Sequence, residues 1–149
     1  MNPMHNLLTL GYQTAKTPEV LLATAKKYGA LVADIRFMPR SRDPRWNKNA
    51  LVKLLGDRYV HVHAFGNKNY KGGPIEFVDP DRGTVQIGEL LVKSNVILLC
   101  TCWDIATCHR KPAAELVAAR FSVKVIHLGK DDLAALEQDA PDKPQLALF

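Results

Sequence analysis

The chain has 149 residues, 47% hydrophobic and 23% charged, with a formal net charge of +5. That length fits one domain with its own core, and the composition is that of an ordinary globular protein. No apolar run reaches the roughly eighteen residues of a membrane span, and three cysteines confined to residues 100–108 exclude a disulfide framework.

The opening stretch, MNPMHNLLTLGY, has no positive segment ahead of a long apolar run. It does not read as a secretory signal, so a reducing cytoplasm is the expected compartment. Leu7–Leu10 reads as a strand ending at Gly11. Thr17 then caps a helix with Pro18 at its first position, an apolar stripe of Val20, Leu21 and Ala25, and Gly29 as its stop. Ala30–Ile35 is a second strand, and Phe37–Trp46 an irregular basic loop. Asn47 caps a helix carrying Leu51, Leu54 and Leu55, ended by Gly56, and Arg58–Val62 is a third strand. Residues 65–83, rich in Gly, Pro and Asn, form a loop long enough to imply function. Then come a helix over Thr84–Lys93, a strand over Val96–Cys100 and a helix over Lys111–Phe121 with Pro112 in its first turn. A strand over Val123–Leu128 and a helix over Asp131–Gln138 close the domain.

Such alternation predicts an α/β fold: three layers, a mainly parallel five-stranded sheet, helices on both faces, Rossmann-like. Strand order is not legible. Residues 1–139 are the domain and residues 140–149 a flexible tail.

In open α/β sheets, ligands sit beyond the carboxyl ends of the strands. Tyr12, Asp34, Arg36, His61, His63, Cys100, Cys102 and His127 all fall there. The stretch ADIRFMPRSR offers an arginine-lined phosphate cradle of Arg36 and Arg42, with Asp34 orienting a guanidinium or a ribose hydroxyl. The structural alternative is an Asp–Arg brace. In YVHVH the alternation puts His61 and His63 on one face, more often a hydrogen-bonded feature than a ligand pair.

The segment Cys100–Arg110 leads into a helix start, where backbone N–H groups attract anions and Arg110 adds a bidentate donor. Cys108, beside His109 and Arg110, has the surroundings of a lowered thiol pKa. Anion binding, structural residues, a thiolate nucleophile and a metal site all stay open. The spacing C-x-C-x₅-C-H matches no standard zinc arrangement, so no metal is expected. The sequence names no cofactor.

Residues 36–58 carry seven Arg and Lys against Asp43 and Asp57. With Phe37 and Trp46 interleaved, this stretch competes as a surface for nucleotides or nucleic acid. The phosphate or nucleic-acid set is therefore Arg36, Arg42, Arg110, Tyr12 and Asn67, with Cys108, His109 and Asp34 nearest any chemistry.

The stretches TLGY, DIRFMPRSR, FGNKNYKGGP, LLC followed by CHR, and VIHLG together resemble the DUF488 family of small α/β proteins, in order along nearly the whole domain. The resemblance implies an α/β fold and no established activity. Cys102 departs from it, standing where an acidic residue is as often expected. The tail is similar to the bacterial sliding-clamp binding motif: after DAPDKP comes QLALF, with Leu146, Leu148 and Phe149 to fill an apolar cleft and Gln145 to bond at its rim. The expected function is a DNA-metabolism protein that binds a nucleotide or nucleic-acid phosphate and docks on the clamp. A repair or nucleotide-processing hydrolase would fit. The rivals are a cysteine- or metal-dependent enzyme on a small metabolite and a non-catalytic nucleotide-binding module.

Overall fold

The structure, a computed structural model, describes residues 4–101 and 108–139. The first half runs β1 (Leu7–Gly11), α1 (Tyr12–Ala15), α2 (Pro18–Tyr28), β2 (Ala30–Asp34), α3 (Lys48–Leu55) and β3 (Tyr59–His61). The second half runs α4 (Pro80–Lys93), β4 (Asn95–Cys100), α5 (Arg110–Phe121), β5 (Val125–His127) and α6 (Lys130–Asp139). The strands form one five-stranded sheet in the order β3-β2-β4-β1-β5. Every pairing is parallel. Among the described residues, no helix is long and apolar enough to cross a membrane.

A parallel sheet has to be covered on both faces, and its central strands are largely apolar. Leu8 and Leu10 of β1, with Ile97 and Leu99 of β4, face a cluster completed by Ala25 of α2, Leu51 of α3 and Leu133 of α6. Leu7, Val96, Leu98 and Cys100 face the other side, against Ile87 of α4 and Ala113 and Val117 of α5. Each fully buried Leu or Ile contributes on the order of 1.5–3 kcal/mol. The two clusters show which way the chain turns. The helix after β2 lies on one face and the helix after β4 on the other. Neighbouring strands whose continuations part in this way open a crevice at their carboxyl ends.

The caps explain why the elements begin and end where they do. Thr17 accepts a hydrogen bond from the Val20 amide at 3.3 Å, and Gly29 ends α2 at φ 57°. Three of the differences from the sequence reading have a visible cause. The α4 helix starts at Pro80, not Thr84, because Asp79 caps it by accepting from the Arg82 amide at 3.1 Å. Gly83 had the look of a loop residue. Its hydrogen side is where the Phe65 ring lies, and a Cβ there would come within 2.8 Å of that ring. Asn47 precedes α3 without capping it, since its side-chain oxygen accepts from the Ser41 amide at 2.7 Å. The β3 strand is short, so His63 lies in the following 3-10 turn (His63–Phe65) and does not share the strand with His61.

Residues 66–79 form a ladder of their own: Asn67 bridges Phe77, and Lys68 N–H donates to the Glu76 carbonyl at 2.8 Å. Gly66 starts this loop against β2's exit, and a Cβ on it would stand 2.7 Å from the Phe37 Cα. Only a residue without a side chain lets the loop lie that close.

Candidate functional site

The site is built outward from Asp34, the fully buried last residue of β2. Its carboxylate accepts from the Arg36 amide at 3.2 Å, from Arg36 Nε at 2.8 Å and from Nη2 at 2.7 Å. The Tyr59 hydroxyl donates to it as well, at 2.6 Å. A buried carboxylate needs such partners, and the fork of arginine meets it in two parallel bonds. Burial works against the charge of Arg36, but the hydrogen bond and charge of Asp34 outweigh it and raise the guanidinium pKa. Burial, then the Asp34 charge, pushes the Tyr59 phenol far above its usual value. Tyr59 arrives from β3, which pairs with β2 in the sheet.

Arg36 is 3% exposed. Two of its nitrogens are spent on Asp34. The third, Nη1, is buried without a hydrogen-bond partner among the described residues. The guanidinium also stands 5.7 Å from the Tyr12 ring, which is stacked at 4.6 Å on Trp46 and bonded through its hydroxyl to Ser41 Oγ.

Three histidines fix the backbone that carries this arginine. His109 Nε2 donates to the carbonyl of Ile35 at 2.8 Å, His61 Nε2 to that of Arg36 at 2.9 Å, and His63 Nδ1 to that of Phe37 at 3.2 Å. A carbonyl only accepts, so each bonded ring nitrogen carries its hydrogen. The pair expected from YVHVH thus acts with His109 as a clamp on residues 35–37.

At the mouth of the crevice lies a cavity of about 190 Å³. Arg36, Arg40, His109, Asn67 and Thr101 give it a polar, cationic side. Phe37, Met38 and Tyr70 give it an apolar one. Phe37 and Tyr70 stack at 5.6 Å with their planes 23° apart, and the Tyr70 hydroxyl donates to Met38 Sδ at 3.4 Å. The Asn67 side-chain oxygen already accepts from the amides of Asn69 and Glu76, each at 3.0 Å, so its amide N–H₂ is what it has left to offer.

Of the residues singled out in the sequence, Arg36, Asn67 and His109 line this cavity, with Asp34 and Tyr12 directly behind Arg36. The other described ones do not line it. Cys108 is 2% exposed and belongs to the core, its Sγ 2.6 Å from that of Cys100. The thiol is packed on β4, with the Arg110 guanidinium beside it. Arg110 is 1% exposed and donates through Nη1 to Cys100 Sγ at 3.2 Å, so its charge is held inside the fold. Arg42 is exposed and lies outside the cavity lining, and Arg45 spends its charge on Asp43 at 2.7 Å. Trp46, expected on a basic surface, is 1% exposed.

His127 lies on β5 at one edge of the sheet, with β4 and β1 between it and β2. It bonds Thr9 Oγ1 at 2.7 Å, and burial, then the charge of Arg110, lowers its pKa. Among the described residues no three His, Cys, Asp or Glu side chains gather to hold a metal. Cys102 and residues 140–149, with Gln145, Leu146, Leu148 and Phe149, lie outside the described residues.

Sequence reasoning missed Arg40, Thr101, Tyr70 and Tyr59. The first lay unremarked in the basic stretch, and Tyr70 in the loop already singled out for its length. Tyr59 carried no signal, because only the pairing of β3 with β2 brings it to Asp34.

The segment that holds the Asp34–Arg36 pair and the Asn67–Tyr70 loop is also the segment with a family match. Residues 17–74 match the Domain of unknown function DUF488. The match supports that family and covers α2 through the start of the loop that walls the cavity. Tyr12, Thr101 and His109 stand outside it. No curated protein and no solved structure matches the chain.

Proposed function

We propose that the cleft between the ends of β2 and β4 binds a phosphate group of a nucleotide or nucleic acid. The observation that carries this is Arg36 Nη1, a buried cationic donor without a partner among the described residues, in a cavity that also receives Arg40, His109 and Asn67. An unmet buried donor costs free energy, and an anion's oxygen would satisfy it. Asp34 acts as the orienter: it fixes the guanidinium plane and leaves the outer edge for the ligand. The three histidine bonds to residues 35–37 keep that edge in place, so little ordering is left for binding to do.

Titration with inorganic phosphate, followed by calorimetry or ³¹P NMR, tests the reading. Arg36→Lys keeps a cation beside Asp34 but removes the fork. A charge-assisted hydrogen bond contributes about 1.5–3 kcal/mol, so the variant is expected to bind roughly ten- to hundredfold more weakly. Equal affinity of the two proteins would end the proposal, provided circular dichroism shows both folded.

The finer reading is a cytoplasmic protein of DNA metabolism that reaches its place of action through the sliding clamp. It rests on the sequence of residues 145–149 alone. Short peptides lose ordering entropy on binding, so an affinity in the micromolar range is expected. Titrating the clamp of the same organism with the full chain and with a chain lacking residues 145–149 decides it. Binding should vanish with the five residues. If both bind alike, QLALF is a coincidence.

A further inference from the structure

We infer that the ligand of this cleft is a single-stranded nucleic acid and not a lone nucleotide. The inference rests on the phosphate-binding reading and adds a second subsite to it. A hollow of about 440 Å³ meets the first cavity along Phe37, Met38 and Arg40, which line both. Pro39, Asn47, Lys48 and Asn49 complete it. Arg36 thus serves the first hollow, Lys48 the second, and Arg40 stands at the boundary. Among the described residues, no carboxylate lines either one.

Beside Arg40, the edge that the two hollows share is lined by Phe37 and Met38, and Tyr70 continues this apolar wall into the first hollow. Met38 is 43% exposed and Tyr70 51% exposed, with Tyr70 stacked on Phe37 and its hydroxyl tied to Met38 Sδ. An aromatic and thioether ledge held in place by its own contacts, and left open to water, is a surface built to be covered. A nucleoside monophosphate carries a single phosphate and would fill one cationic hollow, leaving the other without an anion. A chain with phosphate, base and phosphate in succession matches cation, ledge and cation. Single strands present their bases to aromatic platforms in this way, whereas a duplex keeps its bases stacked inside. The ligand's phosphates would lie at Arg36 with Arg40 and at Lys48, and a base would lie over Tyr70 and Met38.

The experiment compares four probes on the full chain: inorganic phosphate, thymidine monophosphate, a labelled thymidine octamer, and the same octamer in a duplex. The octamer is expected to bind at least about tenfold more tightly than the monophosphate or the duplex. Lys48→Ala should weaken octamer binding several-fold and lower its salt slope by about 0.7, the value for one phosphate contact on a single strand. Arg36→Lys should instead weaken inorganic phosphate and octamer alike, because Arg36 lines the first cavity that both use. Tyr70→Ala should weaken octamer binding further. Monophosphate and octamer of equal affinity, or a Lys48→Ala variant that binds the octamer normally, would overturn the inference while leaving the phosphate site standing. A duplex bound as well as the single strand would overturn it too. Loss of phosphate binding altogether would instead remove the underlying reading.

Discussion

Asp34→Ala is expected to cost the fold about 3–5 kcal/mol, because it leaves the Arg36 charge buried without its counter-ion. The two side chains are 0% and 3% exposed, so water cannot replace the lost carboxylate. Tyr59 would lose its acceptor in the same step. For a domain of this size the melting temperature should fall by roughly 6–20 °C. Removing both charges is a different matter. Buried ion pairs replaced by apolar groups of similar volume are often neutral in stability. The double variant Asp34→Leu, Arg36→Met should therefore recover much of the loss while binding no phosphate. Urea unfolding of the two variants checks this. A loss under about 1 kcal/mol in the single variant would mean that the pair is far better hydrated than its burial implies.

Trp46→Ala is expected to cost about 3–5 kcal/mol, the usual range for truncating a buried tryptophan. The residue is 1% exposed, stacks at 4.6 Å on Tyr12, and belongs to the core cluster with Leu51 and Leu55. Tyr12 in turn faces the Arg36 guanidinium, so the cavity left by truncation would open behind the binding site. The expected signature is a lower unfolding midpoint together with weaker phosphate binding. A surface tryptophan used for base stacking would behave in the opposite way, losing nucleic-acid affinity at full stability. Chemical denaturation followed alongside octamer binding separates the two, and normal stability in Trp46→Ala would contradict the burial described above.

The sequence by itself determined the alternation of elements and the edge of the sheet on which the chemistry gathers. Thr17, Pro18 and Gly29 marked α2 because capping and φ preference are local. The apolar runs marked the strands because a parallel sheet is buried on both faces. Arg36, Asn67 and His109, which line the cavity, were legible as candidates because they lie just past a strand, in an unusually long loop and at a helix start. What remained was non-local. The order β3-β2-β4-β1-β5 brings Tyr59 to Asp34 and sets His127 apart from both, and no spacing along the chain encodes it. Burial separated residues that read alike: Trp46 and Cys108 went into the core while Tyr70 stayed at the surface. Arg110 was read as an anion donor, whereas Arg40 was only one charge of the basic stretch. The packing of α5 against β4 encloses the first, and the bend after β2 leaves the second in the cleft. Local propensity sets where an element starts and stops, but which side of it meets water is decided only when the layers close around it.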